Sequence, residues 1–514
     1  MGMNLPEGSL RQIDEEYIDS LSLEKLRHLS KKMLDDLRDA RDRLNQTPEN
    51  SSRPSGSLAP WEKGSNQEEK EDTEKGEDAS AEGKATHSDD KNSPLPNSEP
   101  ENKRKAGKQS GAKGFGRNID IPITGEEVHK ATECSACGEL FGKDAPFYPK
   151  TGRYELDIER KELGIEVTHI KHIYGACICT CGHKTHSLPG RSNAEEGWDV
   201  EITEWHLAGP TLVALIVSLS MRMRLSRKRI QEFLNDWLGI KLSVGTINQC
   251  ILECGRAVSP LEDEIIVEIQ KSGLLYVDET GWQENGKLKW LWVLRTATVT
   301  LYMIGKRSWD VIADVMEKFA GWLMSDGYLQ YRKYGKRLRC LAHIIRKARG
   351  LSESYNPEAA IFGEKVLEIM SLFITGIYKA RSDPSVDLEE KFSEKLAELK
   401  EWSEKHRDHS HAKTKALARE LLNDWEAIWT VLKYPMLPIT NNLAERLLRH
   451  WVIARKINLG TRTPEGSRAY VSLASVIDTC RQRGVLPWPY IASVVAERRK
   501  GNSAPPIPQF QPVG

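Results

Sequence analysis

The stretch GLLYVDETGW, Gly273 to Trp282, decides the fold. Its first half is a run of apolar residues suited to a buried strand. The run ends in acid: Asp278 closes it, and the two-residue period of a strand turns Glu279 to the opposite face. Asp also starts turns well, so one such ending proves nothing alone. The next fifty residues give it meaning. KLKWLWVLRT (Lys287 to Thr296) and TVTLYMI (Thr298 to Ile304) read as two further strands of a meander. SWDVIADVMEKFAG (Ser308 to Gly321) reads as a helix, and WLMSDGY (Trp322 to Tyr328) as a buried strand ending in Asp326.

If those two strands are neighbours, Asp278 and Asp326 meet at one sheet edge, where their repulsion calls for a divalent cation. A third carboxylate on a helix crossing that edge would complete the site. PITNNLAERLLRHW, Pro438 to Trp451, offers Glu445 beside Leu448 and Val452, across from an apolar stripe of Leu443, Leu447, Trp451 and Ala454. The plain alternative is ordinary helix chemistry, with Thr440 or Asn441 as N-cap and Glu445 paired to Arg449 four residues on.

The chain has 514 residues, room for about three domains, and its charges balance at 74 basic and 74 acidic. The balance hides segregation. Residues 61–102 are acidic, while 103–117 and 441–500 are basic, which suits an anionic polymer as partner. The N-terminus has no signal pattern, and the longest apolar run, near Leu212 to Met221, is too short to span a bilayer. A soluble cytosolic protein with no membrane partner is expected. Of nine cysteines, five fall between Cys134 and Cys181, which suits metal ligation better than a disulfide framework.

Leu23, Leu26, Ser30, Met33, Leu37, Ala40 and Leu44 make a heptad seam, predicting a short coiled coil and self-association. From Gln46 to about Asn118 the composition predicts a disordered linker whose basic end, NKRKAGKQSGAKGFGR, suits an arm along phosphates. ECSACGE supplies a C-x-x-C knuckle, Cys134 and Cys137, and YGACICTCGHKTH supplies Cys177, Cys179 and Cys181, with RYELDIER and GIEVTHIKHIYG between them as a hairpin. Two knuckles joined by a hairpin resemble a zinc ribbon holding one structural zinc. Cys134, Cys137 and Cys181 are expected ligands, and the fourth lies between Cys177 and Cys179, with His183 and His186 as nearby substitutes. In SRKRIQEFLNDWLGIKLSVGTINQCILECG a helix ends at Gly239 and Ser243 caps a second, which is helix-turn-helix spacing. In that geometry Thr246, Asn248 and Gln249 meet base edges while Arg222, Arg224, Arg227 and Arg229 hold phosphates.

The order strand-Asp278, strand, strand, helix, strand-Asp326, then helix-Glu445 resembles the ribonuclease H-like core of DDE transposases. The wording VDETGW, SDGYLQY, CLAHIIRKARG and NNLAERLLRHWVIARKINLGTRTPEGS is similar to the transposase of the insertion sequence 66 family, over about Leu21 to Pro489. The second knuckle departs from that family's C-x-x-C spacing, and Thr440 stands where the family often has Asp.

The resemblance implies that Asp278, Asp326 and Glu445 are the catalytic triad, holding two magnesium (or manganese) ions. Asn441 and Asn442 would steady the helix, and Arg446 and Arg449 would lie at the scissile phosphates. His343 has a family counterpart, though a hydrogen-bonded structural role is the first expectation for it. The implied function is a metal-dependent DNA transposase that binds terminal inverted repeats and performs strand cleavage and transfer. The rivals are an inactive DNA-binding regulator and a ribonuclease H-like nuclease that does not join.

The expected fold class is multidomain, α+β and α/β. A coiled coil covers 1–46, a disordered linker 47–118, a zinc-ribbon-like module 119–200 and a helix-turn-helix region 201–262. A ribonuclease H-like mixed-sheet core comes next over 263–490, with an all-helical insertion at about 355–433, and then a tail at 491–514. Expected partners are double-stranded DNA, as element ends and target, and further copies of the chain. Accessory proteins of the element are left open. The expected location is the bacterial cytoplasm, at the nucleoid.

Overall fold

The structure, a computed structural model, describes residues 18, 21–44, 121–162, 164–188, 200, 206–383 and 387–509. These belong to one compact unit. The linker expected over 47–118, with its basic end, lies outside the described residues. The fold is mixed α and β with two mixed sheets.

Helix α1 (Leu23–Leu44) opens the described chain. Its heptad seam does not pack on the rest of the protein. Leu23 is 66%, Leu37 59% and Leu44 78% exposed, whereas Asp42, on another face, is buried. Asp42 accepts from the Ser354 hydroxyl at 2.6 Å and the Tyr355 N–H at 3.2 Å.

The first sheet contains β1 (Gly125–His129), β2 (Phe147–Lys161), β3 (Gly164–Ile178) and β4 (Lys184–His186). Strands β2 and β3 form the long hairpin that the alternation predicts. β1 runs parallel to β3, and β4 antiparallel to it. Strand β2 also caps the next element. Asp157 Oδ1 accepts from the Leu212 N–H at 2.7 Å, at the start of α2 (Pro210–Met221), whose own N-cap, Gly209, has no side chain to do so. A Cβ on Gly209 would lie 2.3 Å from the Asp157 carboxyl carbon.

Helix α3 (Arg227–Leu238) starts on a Ser226 cap and stops at Gly239 in the left-handed region, and α4 (Val244–Val258) starts on a Ser243 cap, as the sequence predicts. These helices do not stand apart from the rest of the chain. α5 (Leu261–Lys271) leads into the second sheet, and α4 packs against a helix from the far end of the chain.

That sheet has the order β7-β6-β5-β8-β9. β5 (Leu274–Glu284), β6 (Lys287–Arg295) and β7 (Thr300–Gly305) form an antiparallel meander, while β8 (Trp322–Ser325) and β9 (Arg337–Arg339) run parallel to β5. The helix expected over Ser308 to Gly321 is only a 3-10 turn, Trp309–Val311, and the short α6 (Ala313–Glu317). α7 (Leu341–Ser352) comes next, then an all-helical stretch of α8 (Pro357–Ser382), α9 (Leu388–Lys391), α10 (Ser393–Lys405), α11 (Ala412–Asn423) and α12 (Trp425–Lys433).

Helix α13 (Asn442–Asn458) packs on β5 and β6, and α14 (Pro464–Gln482) on β7 and α4. β7 is an edge strand, and α14 covers it. The N–H groups of Thr300 and Tyr302 donate to Thr479 Oγ1 at 3.0 Å and Ser475 Oγ at 2.8 Å. The tail expected from 491 is instead helical at its start. α15 (Pro487–Arg499) opens on proline and buries Tyr490, Ile491, Val494 and Val495, a helical spacing, and it packs on α2. Arg499 joins it to Glu253 on α4 by two bonds of 2.8 Å.

Candidate active site and metal centre

Strands β5 and β8 pair through Leu274↔Trp322, Leu275↔Leu323 and Tyr276↔Met324, and then separate. Carried two residues further, that register would bring Asp278 level with Asp326, and the charge of Asp326 does act on Asp278. Asp326 lies just past the end of β8, as expected, with its Oδ1 accepting from the Tyr328 N–H at 2.9 Å. Asp278 is not at a strand end. β5 runs on to Glu284 because β6 continues to pair with it, Asp278 facing Val293.

The third carboxylate comes from α13, and Asn441 aims it. The Asn441 side chain does not cap the helix. It is fully buried, and its Nδ2 donates to the Val277 carbonyl at 2.9 Å, one residue before Asp278. Its own N–H reaches Cys340 Sγ at 3.2 Å. Facing the sheet, this amide pins the start of α13 to β5, and Glu445 comes one turn later. The buried stripe of α13 is Ala444, Leu448, Trp451 and Ala454, with the expected Leu443 and Leu447 only half-buried. Asp478 on α14 anchors the far side, accepting from Tyr302 Oη at 2.8 Å, Trp451 Nε1 at 3.1 Å and Arg222 Nη1 at 3.2 Å.

Electrostatics links the three acids. Burial pushes the Asp278 carboxyl well above its ordinary range, and the charges of Asp326, Glu279 and Glu445 push in the same direction. Burial likewise raises Glu445, with Asp326 adding to the rise and Arg346 and Arg449 opposing it. Glu445 Oε1 is buried without a hydrogen-bond partner, and so is His343 Nδ1. His343 Nε2 stands 3.8 Å from that same Glu445 oxygen, and burial brings the imidazole down to about 3, so it is neutral at physiological pH. Carboxylate oxygens are the donors a hard divalent cation takes, and around Glu445 the ligand atoms that come within 4.8 Å of one another are its own and those of Cys340 and His343. Beside them lies an open recess of about 270 Å³ lined by Arg307, Asp326, Gly327, Tyr328, His343 and Lys347.

Glu279 alternates with Asp278 along β5, but it is not idle: burial and then the charge of Asp326 raise its carboxyl. It is buried, accepts from Arg307 at 3.1 and 2.9 Å, and accepts from the Tyr331 hydroxyl. Arg307 in turn stacks over Trp290 and Tyr328, at 4.1 and 4.3 Å. Arg307, Arg346 and Lys347 are not among the residues that the sequence singles out. Part of the signal is present there, since His343, Arg346 and Lys347 share one face of a helix by their spacing.

The residues expected to touch DNA divide into two groups. Arg222 and Arg224 turn inward. Arg222 pairs with Asp478, and Arg224, at a backbone φ of 59°, donates to His450 Nδ1 at 2.8 Å while His450 Nε2 donates to the Met221 carbonyl at 3.0 Å. In this arrangement the two brace the loop after α2, Arg222 against α14 and Arg224 against α13. Arg227 and Thr246 are half-buried, as is Asn248, whereas Arg229, Gln249, Arg446 and Arg449 are exposed.

In the first sheet the structure chooses among the cysteines. Cys134, Cys137, Cys179 and Cys181 bring their sulfurs within 4.8 Å of one another. Cys134 and Cys181 are 3.7 Å apart, and Cys137 and Cys179 3.5 Å. A tetrahedral zinc with bonds of about 2.3 Å needs sulfurs roughly 3.8 Å apart, so the set fits that ion. Cys177 is buried within β3 and is not in the set. His183 bonds to Ser135 Oγ at 3.0 Å instead of joining the cluster. The short second knuckle closes because Gly182, at φ +82°, turns the chain as Gly138 does, at φ +72°, after Cys137. The Cys137 N–H brings the Cys134 thiol down to about 6, favouring the thiolate.

The family that the chain matches is one of nucleic-acid-processing enzymes. Residues 206–469 match the Transposase IS66 family, and the chain belongs to that family. It is also 24% identical over 307 residues to the uncharacterized protein y4qI of Sinorhizobium fredii, covering 53% of this chain and 57% of that one. The chain thus spans a little over half the length of that relative. Among the described residues no helix is long and apolar enough to cross a membrane.

Proposed function

We propose that the chain is a DDE-type DNA transposase of a bacterial insertion sequence. It binds terminal inverted repeats and performs divalent-cation-dependent cleavage and strand transfer at Asp278, Asp326 and Glu445. The observation that carries this reading is the register of β5 and β8, which carried past the last pair would bring Asp278 level with Asp326, with the charges of Asp326 and Glu445 both acting on Asp278. The strand order, a meander followed by two parallel strands, supports a ribonuclease H-like core.

Magnesium or manganese held by these three carboxylates would neutralise charge on the scissile phosphate and make the attacking water or 3′-hydroxyl a better nucleophile. The protein's own residues do the rest. Asn441 holds the Glu445 helix to β5. Arg307 and Lys347 lend positive charge to the recess beside Asp326, and neutral His343 offers a ring nitrogen next to Glu445. Arg446 and Arg449 extend that charge along α13.

Thr246, Asn248 and Gln249 at the start of α4 read bases, with Arg227 and Arg229 on phosphates. Cys134, Cys137, Cys179 and Cys181 hold one structural zinc. The uncovered seam of α1 pairs with a second copy of the chain.

The test is magnesium-dependent nicking and joining of a labelled terminal repeat. Asp278→Asn, Asp326→Asn and Glu445→Gln should each lower both steps by about a thousandfold or more while leaving repeat binding intact. Binding without any cleavage by the unaltered protein would make it a regulator, and cleavage without joining a nuclease.

A further inference from the structure

We infer that Glu127, His129 and His172 form a second metal site in the first sheet, one that takes a borderline divalent cation such as zinc. The pairing of β1 with β3 creates it. Glu127 is the register partner of His172, and His129 that of Tyr174. Alternation puts Glu127 and His129 on one side of β1, and His172 and Tyr174 on one side of β3, so the four side chains gather on the same face.

There the ligand atoms converge. His129 Nε2 is 3.0 Å from His172 Nδ1, His172 Nδ1 is 3.3 Å from Glu127 Oε2, and His129 Nε2 is 3.9 Å from that oxygen. A tetrahedral zinc with bonds of about 2.1 Å sets two nitrogens roughly 3.4 Å apart, so these two, at 3.0 Å, need open by only a few tenths of an ångström to share one. The alternative is a single N–H···N bond between neutral rings, and such a bond engages only two of the three atoms. A cation engages all of them.

The surroundings suit a ligand set. His129 is held flat against Tyr174, centroids 4.5 Å apart and planes 5° from parallel. His172 is buried, and its far nitrogen, Nε2, has no hydrogen-bond partner. That nitrogen faces Glu155 at 3.8 Å, and Glu155 is fixed by Arg153 at 2.7 Å. At that distance Glu155 makes no hydrogen bond to the ring, but it is the carboxylate placed to accept from the outer N–H if the ring shifts by somewhat under an ångström. Two nitrogens and one oxygen select a borderline ion such as zinc over magnesium. Cys177, itself outside the thiolate cluster, lies five positions along the strand from His172, roughly 16 Å, so the two ligand sets are distinct.

Exposed Glu127 leaves this site open to solvent, so its ion should exchange more readily than one held by four thiolates. The test uses the full chain, stripped of metal under reducing conditions, supplied with excess magnesium to occupy the proposed carboxylate site, and titrated with zinc, and separately with cobalt. About two equivalents of zinc should bind, the weaker removed by a mild chelator. His129→Gln and Glu127→Gln should each bind only one, while keeping the sulfur-to-cobalt charge-transfer band that reports the cysteine cluster and a folded module. Glu127→Gln alters a surface side chain and decides the matter if His129→Gln disturbs the fold. Saturation of the unaltered protein at one equivalent, or two equivalents persisting in Glu127→Gln, would overturn the inference. Loss of the charge-transfer band from the unaltered protein, with the histidine equivalent still bound, would instead refute the cysteine cluster alone.

Discussion

The two main ligand sets of this protein differ in what surrounds them. The four sulfurs come from short turns, with Cys137 and Cys181 exposed and Cys134 and Cys179 buried, and strand β1 beside them has no buried residue. Two of the three carboxylates stand on a sheet, and the third on the helix packed against it, over a core that is complete without them. Leu275, Val277, Leu291, Val293, Leu294 and Leu323 are each fully buried. On the proposed reading, an ion in the first set would substitute for a core, whereas in the second the core already stands and an ion would only offset the charges it holds. One site should therefore be needed for folding and the other only for chemistry.

The largest effect that could break this contrast comes from paired variants. Cys134→Ser should cost the tightly bound zinc and make residues 121–188 sensitive to protease, since a structural zinc site contributes on the order of 10 kcal/mol to its module. Asp278→Asn should leave the fold intact and raise the melting temperature of metal-free protein by roughly 2–4 °C, because it removes a repelling charge. Limited proteolysis and calorimetry check both, and a Cys134→Ser module as resistant as the original would end the contrast.

Glu279→Gln sharpens it. Strand alternation alone makes this substitution look mild, but the carboxylate is buried between Arg307 and Tyr331. The amide should cost about 1–2 kcal/mol, moderated by the partly exposed Arg307, and should lower cleavage by loosening the recess beside Asp326. Denaturant unfolding with no change in midpoint would contradict this role.

A smaller effect depends on pH. Burial first, then nearby arginines, depress His450 to about 4 from an ordinary 6.5, despite the opposing bond to the Met221 carbonyl. A depressed histidine contributes stability that is present above about pH 6.5 and is lost as pH falls towards 4. The change should be about 1–2 kcal/mol, and His450→Gln should flatten that part of the stability profile. An unchanged profile would show that the Arg224–His450 brace does not control it.

The smallest effect is at Arg229, exposed and paired only with its helix neighbour Glu232. Arg229→Ala should leave stability within about 0.5 kcal/mol and lower the salt dependence of DNA binding by about one unit of slope, seen equally on specific and random DNA. Loss of sequence preference alone would argue for base contact there.

Local patterns tell most about local structure. Apolar runs, alternation, Ser and Gly at helix ends and the spacing of Cys134 and Cys137 each depend on neighbouring residues, so the hairpins, the α3–α4 unit and the acid at the end of β8 are legible in the sequence. The side chains of Arg222, Arg224 and Asn441 mislead for one reason: each looks like a surface or capping residue in its own sequence window, and each is claimed by a distant partner, Asp478, His450 and the Val277 carbonyl. The choice of Cys179 over Cys177 is also beyond local patterns, because it depends on where β3 ends and which sulfurs then face the first knuckle.

The chain order of its residues by itself determined which chemistry this protein carries: three acids in strand and helix settings, and thiolates in turns. Tertiary structure alone decided how those groups meet, because a carboxylate's protonation and a guanidinium's partner depend on burial and on charges brought from elsewhere in the chain. Asp278 is a raised acid rather than a turn residue because burial in β5 and the charges of Asp326, Glu279 and Glu445 act on it together.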